Sequence, residues 1–299
     1  MVIAGALFLA WLLDVAFGEP RNAWHPVAWL GRGLSVLGKP LPAWPAACAF
    51  AAGALLWLTV IAAVAGLAWW LQRALQTLPW WAAAPLLALL LKPSFAWRML
   101  HDEVAAVEAA FASGLPAARA RLALLCSRDV SALDATAVRE TAIETLAENL
   151  GDSLVAPLFW FAVAGLPGAW AWRAANTMDA MWGYRGRWEW AGKFAARADD
   201  VLAWVPARLS ALLLWRRGIA LTTLRREAAR TPSPNGGWPM AAMALRLGVR
   251  LAKPGVYVLN APGGAADAAA LARALRLAGR AAQAAFAAAI GVALLWRTA

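Results

Sequence analysis

Between Ala43 and Leu71 the chain carries no charged side chain. An uncharged apolar stretch of that length crosses the roughly 30 Å hydrocarbon core of a bilayer with residues to spare for tilt. Further apolar runs occupy 1–17, 79–91, 154–172, 201–215 and 281–296. Only 15% of residues are charged and 62% are hydrophobic, where soluble domains hold about 25% charged residues. These runs imply an all-α, polytopic integral membrane protein, since a helix satisfies its own backbone polar groups in lipid.

Four full spans are expected, at 1–17, 43–71, 79–100 and 281–296. The run 79–91 is short by itself and needs Lys92 to Leu100 to reach across, with Pro93 placed to kink or end it. The runs 154–172 and 201–215 differ in kind: the first carries Pro157, Gly165, Pro167 and Gly168, the second Pro206 and Arg208. Such broken segments sit at membrane depth only where protein or a water-filled cavity surrounds them. Arg and Lys crowd 92–139, 173–197 and 216–253. If both broken runs are re-entrant or lie flat, all the basic loops share the cytoplasmic face, as the positive-inside bias asks. If both cross, 173–197 lies opposite the others. The first arrangement is preferred. It gives a single membrane-embedded domain over 1–299 with cytoplasmic-side polar regions near 18–42, 101–152, 173–200 and 216–280. Trp69, Trp70, Trp80, Trp81 and Trp296 near segment ends suit interfacial anchoring, which makes membrane lipid a partner. The apolar start has no basic lead and is interrupted by Asp14, so it fits a retained helix better than a cleaved signal.

The excess of 28 Lys and Arg over 17 Asp and Glu belongs to these loops. No nucleic-acid-binding motif accompanies it, so nucleic acid is not an expected partner. Cys48 and Cys126 suggest neither a disulfide framework nor a thiolate metal site, and with only His25 and His101 a multi-histidine metal centre is excluded. His25 precedes Pro26, which pushes its backbone toward an extended conformation and would hold the ring outward from a turn. Between the spans, 101–152 reads as amphipathic helices. One ends at Gly114, one starts with Pro116 in its first turn, and one begins with Ser131 and Asp134 as a capping pair. Thr231 to Pro239 is turn-forming throughout, and 264–289 is an Ala-rich helix. No internal repeat of fixed period is evident.

Polar residues gather from Arg139 to Leu209. Glu140, Glu144, Glu148 and Asp152 recur every four residues, and no Lys or Arg lies between Glu140 and Trp172. On one helix face such like charges cost roughly 0.2–0.5 kcal/mol per pair, and the three glutamates would cover about 80° of it, with Gly151 placed to end the helix. Converging carboxylates of this kind either bind a divalent cation or hold their protons more tightly than usual. A solvated face is the plainer reading, but solvated helices interleave Lys with Glu, and this one does not.

Downstream, NTMDAMWGYR supplies Asn176, Thr177, Asp179, Tyr184 and Arg185, and ADDVLAWVPAR supplies Asp199, Asp200 and Arg208. Adjacent aspartates can place oxygen ligands around Mg²⁺, which usually keeps waters and bridges substrate phosphates. Arg173, Arg185, Arg197 and Arg208 offer forked donors to phosphate or carboxylate. Neither a G-x-x-x-x-G-K-[ST] loop nor a G-x-G-x-x-G after a strand occurs, so an ATP site would be assembled from scattered Arg residues, backbone amides and metal-bound carboxylates.

Five motifs, in this order, resemble the CobD/CbiB family of membrane-bound adenosylcobinamide-phosphate synthases of cobalamin biosynthesis. They are DVAFGEPRNAWHPVAWLG, SRDVSALDATAVRETAIETLAENLGDSLVAPLF, NTMDAMWGYR, ADDVLAWVPARL and SPNGGWPMAAMALRLGVRL. The resemblance implies an ATP- and Mg²⁺-dependent ligation that joins a propionate of adenosylcobyric acid, a corrinoid, to aminopropanol or its phosphate. It implies metal binding at Asp179, Asp199 and Asp200, and catalytic roles for Glu144, Glu148 and Asp152, with Glu144 or Glu148 deprotonating the attacking ammonium. Substrate or phosphate binding falls to His25, Arg128, Asn176, Thr177, Tyr184, Arg185, Arg208 and Asn235. It further implies a bacterial inner-membrane location, an active site facing the cytoplasm, and association with other enzymes of the pathway. Ala180 stands where the family commonly has Ser, and Ala203 where it often has Asn.

The alternative is a polytopic membrane transporter of a small or corrinoid solute, whose broken helices and intramembrane polar residues would mark a substrate path. Paired repeats, which a transporter should show, are absent. A membrane phosphotransferase acting on lipid alcohols would need a D-x-x-D-G-x-x-A-R comb, also absent.

Overall fold

In a computed structural model, residues 1–295 are described, so the expected anchor Trp296 and the last residue of the 281–296 span lie outside the described residues. In chain order the elements are α1 (Val2–Phe17), α2 (Pro26–Gly38), α3 (Ala46–Leu75), α4 (Trp80–Leu91), α5 (Trp97–Ala110), α6 (Leu115–Leu122) and α7 (Ala135–Leu150). A π-helical turn at Gly151–Val155 leads into α8 (Ala156–Trp182), followed by α9 (Lys193–Leu202), α10 (Trp204–Leu214), α11 (Leu221–Ala228) and α12 (Gly237–Leu247). A short antiparallel hairpin, β1 (Leu251–Lys253) and β2 (Tyr257–Leu259), precedes α13 (Ala268–Leu295). The protein is mostly helical with almost no sheet. The hairpin departs from the all-α expectation, with Leu251 opposite Leu259 and Lys253 opposite Tyr257.

Three helical stretches are long and apolar enough to cross a membrane: Ala46–Leu75, Ala135–Trp182 and Ala268–Leu295. This is compatible with a membrane protein. The expected span at 79–100 is not one helix. Pro93 ends it: α4 stops at Leu91, only 12 residues long and about 18 Å at the helical rise, and a 3-10 turn follows at Lys92–Ser94. The run 154–172 falls inside Ala135–Trp182, which meets the length and apolarity for crossing, while α10, in the 201–215 run, is too short. Gly151 is the C-cap of the comb helix, as expected, but it does not turn the chain away. Its backbone stays right-handed helical (φ −64°, ψ −58°), and the chain passes into the π turn instead.

The chain forms two compact units. The first comprises 1–96, 156–203 and 286–299, the second 97–155 and 204–285. In the first unit α1 packs on α4, α3 packs on α8 and α9, and α2 packs on α8. Trp182 and Leu34 are buried in a cluster with Ala174, Met178 and Ala195. The expected break in α8 lies at Gly165, whose φ of 67° and ψ of −153° is a conformation open essentially to glycine alone. The N–H of Leu166, freed by the break, donates to Gln72 Oε1 at 2.7 Å. A Cβ on Gly165 would stand 2.6 Å from that same oxygen. A broken helix among apolar neighbours is thus re-satisfied by one polar side chain of α3.

In the second unit α7 is the central helix, enclosed by α5, α6, α12 and β1. Val138, Ile143, Leu146 and Leu150 are buried there, and so are Glu140 and Glu144. Asp134 is its N-cap, accepting from Ala137 N at 2.7 Å. The expected Ser131 start is therefore moved three residues on, because Asp134 itself takes the capping position. Gly114, with φ 99°, separates the α5 segment from α6, and Pro116 lies in the first turn of α6.

Candidate functional site

The first unit brings three of the expected acids together. Asn176, Thr177 and Asp179 ride the last turns of α8, and Asp199 and Asp200 ride α9, which packs against it. Asn176 hydrogen-bonds the Asp199 carboxylate, while Asp199 Oδ1 is buried with no hydrogen-bond partner. Burial, then the charge of Asp179, lifts the Asp199 carboxyl from 3.8 to about 7 against the opposing pull of Asn176. Burial also raises Asp200, partly offset by Arg197, whose nearest guanidinium nitrogen is 3.8 Å away.

Gly183 explains the glycine of NTMDAMWG: a Cβ there would overlap the Asp179 carboxylate, so only glycine leaves the acid room. Thr177 turns its hydroxyl back onto its own helix, donating to Arg173 O at 2.7 Å. Tyr184 and Arg185 follow α8 and are exposed. Among the described residues no three of His, Cys, Asp and Glu form a metal cage. The donor set nevertheless fits Mg²⁺, which needs only one or two carboxylates beside substrate phosphates, and the orphaned oxygen of Asp199 is the kind of atom such an ion would satisfy.

A second polar centre in the same unit was not foreseen. Lys92, almost fully buried, reaches Asp14 Oδ1 at 3.0 Å and also bonds Glu19 and the carbonyl of Phe95 at 3.3 Å. The other Glu19 oxygen meets His25 Nε2 at 2.8 Å. Burial pushes Glu19 up, but His25 and Lys92 outweigh it and hold the carboxyl below its usual value. His25 does not point outward as expected. It caps α2 by accepting from Val27 N at its Nδ1, which turns the ring inward and commits both nitrogens. The signals were present in Asp14, which interrupts an apolar run, and in Lys92, which stands between two. Nothing in the sequence paired them.

The comb lies in the second unit, where the chain itself supplies the cations. Glu140 Oε1 accepts from Arg250 at 3.2 Å, and Arg128 stands 2.7 Å from Glu144 Oε2 while also donating to Thr141. Tyr257 of β2 turns its hydroxyl to Met240 Sδ at 3.8 Å; burial, then the Glu144 charge, pushes its phenol well above the usual value. At Glu140 and Glu144 these arginines of the chain stand where the sequence pointed to a bound divalent cation. Glu148 and Asp152 are partly exposed, and Glu148 lies so close to the turn after Asn235 that a Cβ on Gly236 would stand 2.7 Å from its Oε1.

Arg208, expected to fork onto phosphate, is engaged by its own unit. Its guanidinium donates to Asn235 Oδ1 at 2.6 Å, Trp204 O at 3.0 Å and Pro234 O at 3.1 Å. It also lies 4.5 Å from the Trp204 ring and 4.8 Å from that of Trp238. Arg208 and Asn235 together hold the SPNGGWP turn against α10. Tyr257, Arg250, Glu19 and Lys92 join these polar centres without any local pattern that marks them.

The family model described as CobD/Cbib protein matches residues 7–278. A probable cobalamin biosynthesis protein CobD of Pyrococcus abyssi is 41% identical over 258 residues, covering 84% of this chain and 83% of that protein. The cobalamin biosynthesis protein CobD of Rhodobacter capsulatus is 39% identical over 277 residues, 88% and 87% of the two chains. That of Stutzerimonas stutzeri is 41% identical over 260 residues, 85% and 82%. No solved structure matches. With a match running through all five motifs and both compact units, the chain belongs to the CobD/Cbib family of cobalamin biosynthesis proteins.

Proposed function

We propose that this protein is the ATP-dependent carbon–nitrogen ligase that joins adenosylcobyric acid to aminopropanol or aminopropanol phosphate, giving adenosylcobinamide or its phosphate. The observation that carries the reading is the group Asp179, Asp199 and Asp200, acids gathered in one unit with a buried carboxylate oxygen left unsatisfied. A Mg²⁺ held there would offset phosphate charge during transfer. In the overall chemistry a propionate oxygen takes the terminal phosphoryl group of ATP, releasing ADP. The amine nitrogen then attacks the acyl carbon, phosphate leaves, and one proton is lost.

This chain's residues bind and position. Asn176 orients Asp199. Arg185, exposed after α8, is available to phosphate. Proton removal from the ammonium falls to Glu148 or Asp152, which are partly exposed, rather than to Glu144, which Arg128 and Tyr257 enclose. A general base must come within hydrogen-bond reach of its substrate, and a fully covered carboxylate does not. The family resemblance supports a bacterial inner membrane, and the basic stretch 173–197 favours the cytoplasmic side for Asp179, Asp199 and Asp200, where other enzymes of the pathway could dock.

The test incubates membranes containing the protein with adenosylcobyric acid, aminopropanol phosphate, ATP and Mg²⁺. Amide product is expected, and Asp199→Asn and Asp200→Asn should abolish it without loss of the inserted protein. No product alongside a working control enzyme would sink the assignment. Full turnover by both variants would sink the metal roles.

A further inference from the structure

The α10–α11 region of the second unit carries a surface that the ligation reading does not use. Val205, Leu209 and Leu212 recur at i, i+4 and i+7, so they share one face of α10, and all three are exposed, Leu212 by 61%. Seven residues of helix give that stripe a length of about 10 Å. The stripe runs toward the Arg216–Arg217 turn. There Gly218 takes φ 97°, Trp215 Nε1 donates to Ile219 O at 3.0 Å, and Arg246 donates to Leu214 O at 3.0 Å and Trp215 O at 3.2 Å. The turn is therefore fixed by its own hydrogen bonds. On α11, Arg225 and Arg226 are exposed, and Leu221, one turn before Arg225, is 64% exposed.

None of Arg216, Arg217, Arg225 and Arg226 has a carboxylate partner among the described residues, whereas nearby Arg230 pairs with Glu227 at 3.1 Å. Four guanidinium groups left unneutralised cost self-repulsion unless something anionic meets them. Leu212, one turn before Arg216, and Leu221, one turn before Arg225, are both exposed and ask for an apolar phase beside those charges. An interfacial bilayer region supplies both, taking apolar side chains to about 5–10 Å depth under charged headgroups.

We propose that the α10–α11 region docks anionic lipid headgroups. Arg216, Arg217, Arg225 and Arg226 meet the phosphodiester charge, and the Val205–Leu209–Leu212 stripe meets the acyl chains. The inference is independent of the ligase reading.

The full chain is reconstituted in nanodiscs of phosphatidylcholine, alone or with roughly a third phosphatidylglycerol, and its unfolding midpoint is read. The phosphatidylglycerol discs should raise the midpoint by about 5 °C, and about 0.5 M NaCl should remove the rise. R216Q/R217Q/R225Q/R226Q should show no rise, while R273Q/R276Q/R280Q, which strips the exposed arginines of α13, should keep it. R216Q/R217Q and R225Q/R226Q alone should each keep about half, which covers a quadruple variant that does not fold. No rise for the unaltered chain overturns the proposal. So does a full rise in the quadruple variant or in both double variants, loss of the rise in the α13 variant, or an equal rise from inorganic phosphate in phosphatidylcholine discs.

Discussion

Asp199→Asn offers a prediction in which stability and activity move in opposite directions. The folded protein holds the Asp199 proton up to about pH 7, from an ordinary value of 3.8. A tenfold change in proton affinity is worth about 1.4 kcal/mol, so ionising this group in the folded state costs at most about 4 kcal/mol. The sign follows from proton linkage. The folded state binds this proton more tightly than the unfolded chain, so the contribution favours folding fully below about pH 4 and is lost as pH rises toward 7. Asparagine keeps the shape and the bond to Asn176 but never ionises. In metal-free buffer with chelator, Asp199→Asn should therefore be more stable than the unaltered chain by up to about 4 kcal/mol at pH 8. That falls to about 2 kcal/mol at pH 5 and to nearly nothing below pH 4. At roughly 2–4 °C per kcal/mol for a chain of this size, the midpoint in detergent should rise by about 8 °C or more at pH 8. The assay is a thermal unfolding series from pH 4 to pH 9 on both proteins, with ligation measured in parallel. A variant less stable than the unaltered chain at pH 8, or a difference that does not change with pH, would refute the reasoning.

Gln72→Leu should cost about 1–3 kcal/mol by stranding the Leu166 N–H, and Gly165→Ala should cost more, since it adds backbone strain and displaces Gln72; an unfolding midpoint unmoved by Gln72→Leu would count against the repair. Lys92→Met should cost about 3–5 kcal/mol by leaving Asp14 and Glu19 buried without their cation, and adding Asp14→Asn should recover part of the loss in the folded yield. In the second unit, Arg128→Met and Glu144→Gln should each destabilise, and the double variant should lose less than their sum. Strict additivity in chemical unfolding would show that the two do not form a pair.

The parts of the fold written in local sequence could be read directly. Gly114, Asp134 and Gly165 act through their own backbone or their nearest neighbours, so their roles at helix ends and breaks follow from residue type alone. The convergence of Asp179 with Asp199 was also accessible, because one loop joins the helices that carry them. What could not be read was pairing at long range. Lys92 and Asp14 are far apart in sequence, as are Glu140 and Arg250, and residue type does not say which buried acid meets which cation. The comb illustrates the cost of this. An acidic face without interleaved Lys suggested a bound cation, but a helix enclosed on all sides can take its cations from other segments, here the loop at Arg128 and the start of the hairpin. Arg208 misled in the same way: its fork closes on the Asn235 turn, a contact no local pattern encodes.

The two units handle their acids differently, and the contrast favours the first unit as the place for the proposed cation. In the second unit, Glu140 has Arg250 and Glu144 has Arg128, so each of these two buried charges has a cation of its own chain beside it. In the first, the charges acting on Asp199 from Asp179 and Asp200 are both repulsive, and Arg197, at 3.8 Å, offsets Asp200 alone. A buried like-charge group is stable only if it keeps protons or gains a cation. Mg²⁺ should thus stabilise the unaltered chain at pH 8, where it relieves the ionised carboxylates, and much less at pH 5, where protons already occupy the site. Asp199→Asn should lose most of that gain, whereas Glu144→Gln, whatever it does to folding, should keep it. An equal Mg²⁺ effect in all three proteins, or one that grows as pH falls, would remove the cation from the first unit.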